Sequence, residues 1–290
     1  MAVKPPPTGF FVYTHPSLGW SQYYLDGEKL KSVSKVKEAV GTGDGLQRWA
    51  AKEERIMVLD RARVLYGEVF NELRAAVERG ASIDALPNDI VFAAKLEAAL
   101  GRQFSYETIR DTAADIGHEV HAWLEYWFRH RLFMAARGPM PLEPQELSQP
   151  AKLAFDAALH FMENEDVVPL AAERPVYSRK IKTGGRLDHI ALVRGRACVI
   201  DWKVTKRVGY TQKLTTAAYR MLYNDCPEKL AGLERIDTAL VIQLPKIEGQ
   251  TINLFPMDER ECDELNETFR HAAVVRDSLD KNGVFDWGRK

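Results

Sequence analysis

Two short apolar, β-branched stretches, Leu187 to Val193 and Ala197 to Trp202, flank Arg194-Gly195. Both read as strands, and the glycine supplies the backbone freedom of a tight turn, so the pair predicts a β-hairpin. A turn centred on Arg194-Gly195 pairs Val193 with Arg196, Leu192 with Ala197 and, at the far end, Asp188 with Asp201. Helical periodicity appears elsewhere. Ile56, Leu59, Val64, Val69 and Leu73 recur near the 3.6 period within Leu46 to Arg79, with Gly67 marking a kink or break. A second helix is predicted from Pro87-Asn88 to Leu100, with Asn88 as cap, and a third from Ser105, carrying the apolar stripe Val120, Leu124, Trp127 and Phe128. Further helices are predicted over Ala151 to Met162, Tyr210 to Tyr223 and Asp258 to Leu279. Strands are predicted at Phe10 to Tyr13, Gln22 to Leu25, Lys29 to Val33 after an Asp26-Gly27 turn, Glu173 to Tyr177, Ile236 to Leu244 and Thr251 to Phe255. The proline-rich lead-in from Lys4, the glycine-rich break Thr42 to Gly45 and the proline-bearing loop Arg137 to Pro150 separate these elements, and Trp287 anchors the tail.

The central hairpin carries the chemistry. Directly opposed residues have Cβ atoms about 4.5–5.5 Å apart, and like charges there are destabilising. A hard divalent cation between Asp188 and Asp201 reverses that sign. Lys203 shares a face with Asp201, so an ammonium stands beside the pair. On repulsion alone, Asp201→Ala is expected to raise the stability of the metal-free protein. From Ser178 to Arg220 the basic residues are Arg179, Lys180, Lys182, Arg186, Arg194, Arg196, Lys203, Lys206, Arg207, Lys213 and Arg220, and the only acidic ones are Asp188 and Asp201. The whole chain has a formal charge of −1, so this window is locally basic and suits a polyanion approaching a metal, above all a phosphodiester backbone.

A Gly-Xaa-Leu-Asp strand, then a strand ending Asp-Xaa-Lys, then a helix bearing Gln and Tyr, resembles the PD-(D/E)XK nuclease superfamily. Its RecB-type exonuclease branch, with stand-alone, phage-encoded members, also has an upstream helix that Gly117, Val120, His121, Leu124 and Glu125 match in order. The resemblance spans Gly117 to Tyr219. It implies an α/β fold with a restriction-endonuclease-like core, a central mixed β-sheet flanked by helices, over residues 105–290. Residues 1–104 would form an N-terminal hairpin and a mainly helical extension. It implies a metal-dependent deoxyribonuclease, an exonuclease acting on DNA ends in recombination, repair or phage DNA processing. A structure-specific or flap endonuclease on the same core and a non-catalytic nucleic-acid-binding module are the alternatives.

Asp188, Asp201 and Lys203 then fall in catalytic positions, and Glu173 where the family often has an acid, although a strand-end glutamate needs no such role. His121, Asp188, Asp201 and the backbone carbonyl of Trp202 would hold Mg²⁺, with Mn²⁺ substituting. Arg186, Lys206, Arg207, Gln212, Lys213 and Tyr219 are the implied nucleic-acid contacts. The family places Gln four residues before Tyr, whereas Thr215 stands there and Gln212 lies one turn further upstream. Cys198, Cys226 and Cys262 lack the fourth cysteine of relatives that carry an iron–sulfur cluster, so none is expected. The chain of 290 residues has no long uncharged apolar run and no basic-then-apolar leader. No membrane partner is expected, and a reducing cytoplasm, bacterial or phage-infected, suits its cysteines. A homo-oligomer and a recombination partner protein remain open.

Overall fold

The computed structural model describes residues 8–16, 21–40, 44–80, 95–96, 98, 105–136, 140 and 142–281. The Asn88 cap, most of the proline lead-in, Trp287 and the side chain of Ser105 lie outside the described residues. The chain divides into two compact units. One comprises Met1–Gly41 with Asp115–Lys290, and the other Thr42–Ala114. This differs from a division at residue 104. The first strands belong with the larger unit because they pair and pack within it.

In the larger unit, β1 (Phe10–Thr14), β2 (Ser21–Leu25) and β3 (Glu28–Lys29) form a small antiparallel sheet. Asp26 and Gly27 turn the chain with φ of 51° and 78°, as the Asp-Gly pair predicts. Two residues further on, the chain changes role. β4 (Lys31–Ser32) pairs in parallel with a strand of the main sheet, and α1 (Val33–Glu38) begins at once. The predicted strand Lys29 to Val33 is therefore split. Ser32 caps α1 by accepting from the Lys35 amide at 3.2 Å, and Val33 and Val36 turn inward.

The main sheet has the order β4-β6-β7-β8-β9, with β5 on the outer side of β6. Its strands are β5 (Val168–Ser178), β6 (Thr183–Val193), β7 (Arg196–Lys203), β8 (Thr238–Gln243) and β9 (Asn253–Met257). β5 begins five residues before the predicted Glu173 start. It lies outermost, so Pro169 and Pro175 need not donate to a second neighbour. The β6–β7 hairpin has the expected register, Val193↔Arg196 and Leu192↔Ala197, down to His189↔Ile200. Arg194 and Gly195 have φ of 50° and 75°, the left-handed pair that a two-residue hairpin turn requires. β7 to β8 is parallel and β8 to β9 antiparallel, so the sheet is mixed.

Helices cover both faces. α1, α5 (Tyr210–Asp225) and α6 (Glu259–Lys281) bury Leu214, Ala218, Leu222 and Phe269 with Leu187, Val199 and Val241. On the other face lie α3 (Ser105–Ala136), whose residues from Asp115 belong to this unit, and α4 (Gln149–Asn164). They bury Val120, Leu124, Phe128 and Ala158 against Ile200, Trp202 and Ile242. The architecture is α/β: a mixed sheet between helices. The smaller unit contains α2 (Asp44–Glu78), which runs through Gly67 without a break.

Gly184 and Gly185 follow Thr183 at the start of β6, where neighbours press close. A Cβ on Gly185 would stand 2.6 Å from Cε1 of Tyr219 and 2.9 Å from Cγ2 of Val33. Gly185→Ala is therefore expected to destabilise the protein by about 1–3 kcal/mol, read as a lower urea midpoint. An unchanged midpoint would mean that this packing is loose.

Candidate active site

The β6–β7 ladder ends at His189↔Ile200, one rung short of the aspartates. Below it β6 takes β4 as its neighbour at Thr183 and Gly184, while β7 continues beside β8 to Lys203. The two strands fork there. Asp188 and Asp201 flank the fork, near enough for the charge of one to act on the other. The expected Asp188–Asp201 pairing thus falls at the mouth of the hairpin, beyond its last paired rung.

Their surroundings differ. Asp201 is 3% exposed, and its Oδ1 accepts from Lys203 Nζ at 2.6 Å. Its Oδ2 accepts from the Thr216 hydroxyl at 3.2 Å. Asp188 Oδ2 is buried and has no hydrogen-bond partner among the described residues. Its nearest basic neighbour is His121 Nδ1, 3.5 Å away. Burial and then the Asp201 charge push Asp188 well above the usual carboxylate range, against the pull of Lys203. Burial alone would lower Lys203, but Asp201 and Asp188 outweigh it and the ammonium is held charged. Burial and the nearby Lys203 lower His121 to about 4, so its ring is neutral at pH 7, within hydrogen-bonding reach of the Trp202 backbone.

Glu173 reaches the fork by a backbone irregularity. It sits in β5 between the pairs Ala172↔His189 and Arg174↔Leu187, with φ of 47°, in the left-handed region. A non-glycine residue holds that conformation at a cost, and here it stands across from Asp188. Burial and the Glu125 charge raise Glu173 to about 7, while Arg186 and Arg129 oppose them. Glu125, one helical turn beyond His121, is ion-paired to Arg129 at 2.6 Å.

Beneath the fork lies His189, fully buried. Trp202 Nε1–H donates to its Nδ1 at 3.1 Å, so the proton of the neutral ring sits on Nε2. Burial, then His121 and Arg129, hold its pKa well below normal, and its ring packs on that of Phe128 at a tilt of 42°, with centroids 3.9 Å apart. The ring contact ties α3 to β6, and the Trp202 bond ties β6 to β7 next to Asp201.

The basic window looks different in three dimensions. Lys180, Lys182, Lys213 and Arg220 bind Asp225, Glu28, Glu261 and Asp263 at 3.1, 3.2, 2.8 and 2.9 Å. Arg179 pairs with Asp26, Arg194 with Glu165, and Arg186 with Glu173 at 3.9 Å. Much of the positive charge is thus neutralised by carboxylates distant in sequence. Among the described residues Lys206 and Arg207, just beyond Lys203, have no ion-pair partner and leave a positive edge beside the fork. Of the implied nucleic-acid contacts, Arg186 also donates to the Thr14 hydroxyl at 3.2 Å. Gln212 Oε1 accepts from the Gly209 amide at 3.0 Å and so closes the start of α5. Tyr219 packs on Gly185, its hydroxyl pushed up by burial and by Asp188.

Thr216, His189 and Arg129 carry no motif that the sequence could reveal. Glu125 was visible only as part of the His121 motif.

Among the described residues no group of three His, Cys, Asp or Glu side chains is already arranged to hold a metal ion. The donor set nonetheless suits a hard cation. The unsatisfied buried oxygen of Asp188 has the neutral His121 imidazole 3.5 Å away and the Asp201 carboxylate across the fork.

The same contrast corrects the expected effect of Asp201→Ala. That change would strand the Lys203 ammonium and so should lower stability rather than raise it. The repulsion falls on Asp188 instead. A carboxyl whose folded pKa is raised favours the native state fully below its unfolded pKa, about 3.9. That contribution is lost as the pH rises through the folded value. In chelator at pH 7, Asp188→Asn is therefore expected to be more stable than the parent. The advantage should vanish as the pH falls towards 4. Thermal melts across that range check it, and a less stable variant at pH 7 would contradict it.

No family model matches the chain, and no curated protein matches it. A solved structure titled "Crystal structure of SSO0001" is similar over 52% of this chain and 69% of its own, at 14% identity and a TM-score of 0.24. A likeness that low carries no argument.

Proposed function

We propose that the protein is a metal-dependent DNA nuclease with a restriction-endonuclease-like core of the PD-(D/E)XK kind, hydrolysing phosphodiester bonds from DNA ends. One observation carries the reading: a buried, unsatisfied Asp188 oxygen beside Asp201, with the Lys203 ammonium bonded to that second carboxylate at 2.6 Å. Asp188, Asp201, His121 and the Trp202 carbonyl would hold magnesium or manganese. When bound, the ion would supply a Lewis acid that polarises a phosphoryl oxygen and acidifies water.

The chain's own groups do the rest. Lys203 stays charged and places its ammonium where negative charge builds on the phosphate in the transition state. Its bond to Asp201, backed by Thr216, fixes both side chains before substrate arrives. His121, neutral at pH 7, offers a lone pair rather than a repelling charge. Lys206 and Arg207 would draw the phosphate backbone to the open edge.

End-labelled linear and covalently closed circular DNA, single- and double-stranded, incubated with Mg²⁺ or Mn²⁺ test the proposal. Release of label from linear DNA, with circles spared and a chelator control inert, is expected. Cleavage of circles would make the enzyme an endonuclease, and no metal-dependent cleavage of any DNA would overturn the reading.

A further inference from the structure

α2 presents two apolar stripes. Leu65 and Val69 are buried, at 8% and 9% exposed. Glu72, one turn beyond Val69, bonds Lys95 at 2.8 Å, so the segment carrying Lys95 lies on that side. The other stripe is open: Ile56, Leu59, Tyr66 and Phe70 are 43%, 51%, 68% and 55% exposed. With Arg63 these positions run 56, 59, 63, 66, 70, steps of three and four that keep one seam of a helix facing a partner helix. Tyr66 and Phe70 already stack on each other, with ring centroids 6.5 Å apart. Gly67, beside them, has open space where a side chain would stand, so a second backbone can approach.

We propose that this stripe is the interface of a homodimer in which α2 pairs antiparallel with α2 of a second copy. The sequence of the stripe selects both the occupant and its direction. A parallel pairing would set Arg63 against the same arginine of the other copy. An antiparallel pairing centred between Arg63 and Tyr66 sets Arg63 over the partner's Tyr66, a cation–π contact made twice by symmetry. The same register sets Leu59 against the partner's Phe70. The seam is therefore complementary to itself in one direction only. The Arg63 side chain is 83% exposed and holds a solvent-exposed ion pair with Asp60 at 4.0 Å, which leaves its guanidinium face open to the partner's ring.

Sedimentation equilibrium of the full chain tests the proposal. A reversible dimer is expected. Tyr66→Glu, and independently Leu59→Lys, should raise its dissociation constant at least about tenfold, because each places a charge in the seam. Val64→Glu alters an equally exposed residue, 58%, on another face and should leave the dimer intact. Far-UV circular dichroism confirms that each variant keeps its helices. Mixing Arg63→Cys with Tyr66→Cys protein should yield the mixed disulfide in preference to either symmetric one; the three native cysteines are buried. A monomer at all concentrations, equal sensitivity to Val64→Glu and Tyr66→Glu, or preference for the symmetric cross-links would overturn the proposal.

Discussion

Lys203→Gln is expected to lower magnesium-dependent DNA cleavage at least about a hundredfold while the fold survives. Glutamine keeps a donor for Asp201 Oδ1, which now accepts from Lys203 at 2.6 Å, so the buried carboxylate is not left bare. What disappears is the positive charge. Its role is to meet charge that grows on the phosphate only as the bond breaks, so the loss should appear in kcat more than in KM. Alanine would be a poorer probe. Asp201 is nearly buried, and with Thr216 as its remaining donor the variant would mix lost chemistry with lost stability. Unfolding in urea, measured alongside cleavage, separates the two. Parental cleavage by Lys203→Gln would remove Lys203 from the chemistry.

The largest stability effect is expected at a surface residue. Asp263→Ala should destabilise the protein by about 3 kcal/mol, more than Arg220→Met does. Arg220 lies in the core, 1% exposed, with its guanidinium bonded to Asp263 at 2.9 Å and to the Ile236 carbonyl at 2.9 Å. Its second terminal nitrogen is buried without a partner among the described residues. Removing Asp263 leaves a buried cation without its counter-charge. Removing Arg220 leaves an aspartate whose side chain is 60% exposed, which water can solvate. The Ile236 carbonyl also keeps its bond from Asn224 at 2.8 Å. Urea midpoints in the opposite order would show that the arginine is stabilised by packing rather than by its ion pair.

The hairpin was legible because a two-residue turn sets both register and face. Arg194 and Gly195 take the left-handed backbone that the turn needs, and Val193↔Arg196 follows. From that register Asp188 meets Asp201 with no knowledge of the rest of the fold. The fork at that point was not legible, because it depends on β4, two residues long and more than 150 positions upstream of β6. α1 was missed although Ser32 is a sound cap, because Lys29 to Val33 after an Asp-Gly turn also reads as a returning strand. The basic window misled more seriously. A count along the chain cannot see that Arg179 meets Asp26 or that Lys213 meets Glu261. The unequal treatment of the two aspartates was equally hidden, since Lys203 lies within reach of both and only the structure shows it bonded to Asp201.

A divalent ion at the fork of β6 and β7 is the claim on which the functional account stands, and a manganese titration followed by electron paramagnetic resonance tests it without any substrate. The parent protein is expected to bind Mn²⁺ with displacement by Mg²⁺, and Asp188→Asn and Asp201→Asn should each abolish that binding while remaining folded. A parent that binds neither ion, or variants that bind manganese as the parent does, would contradict it.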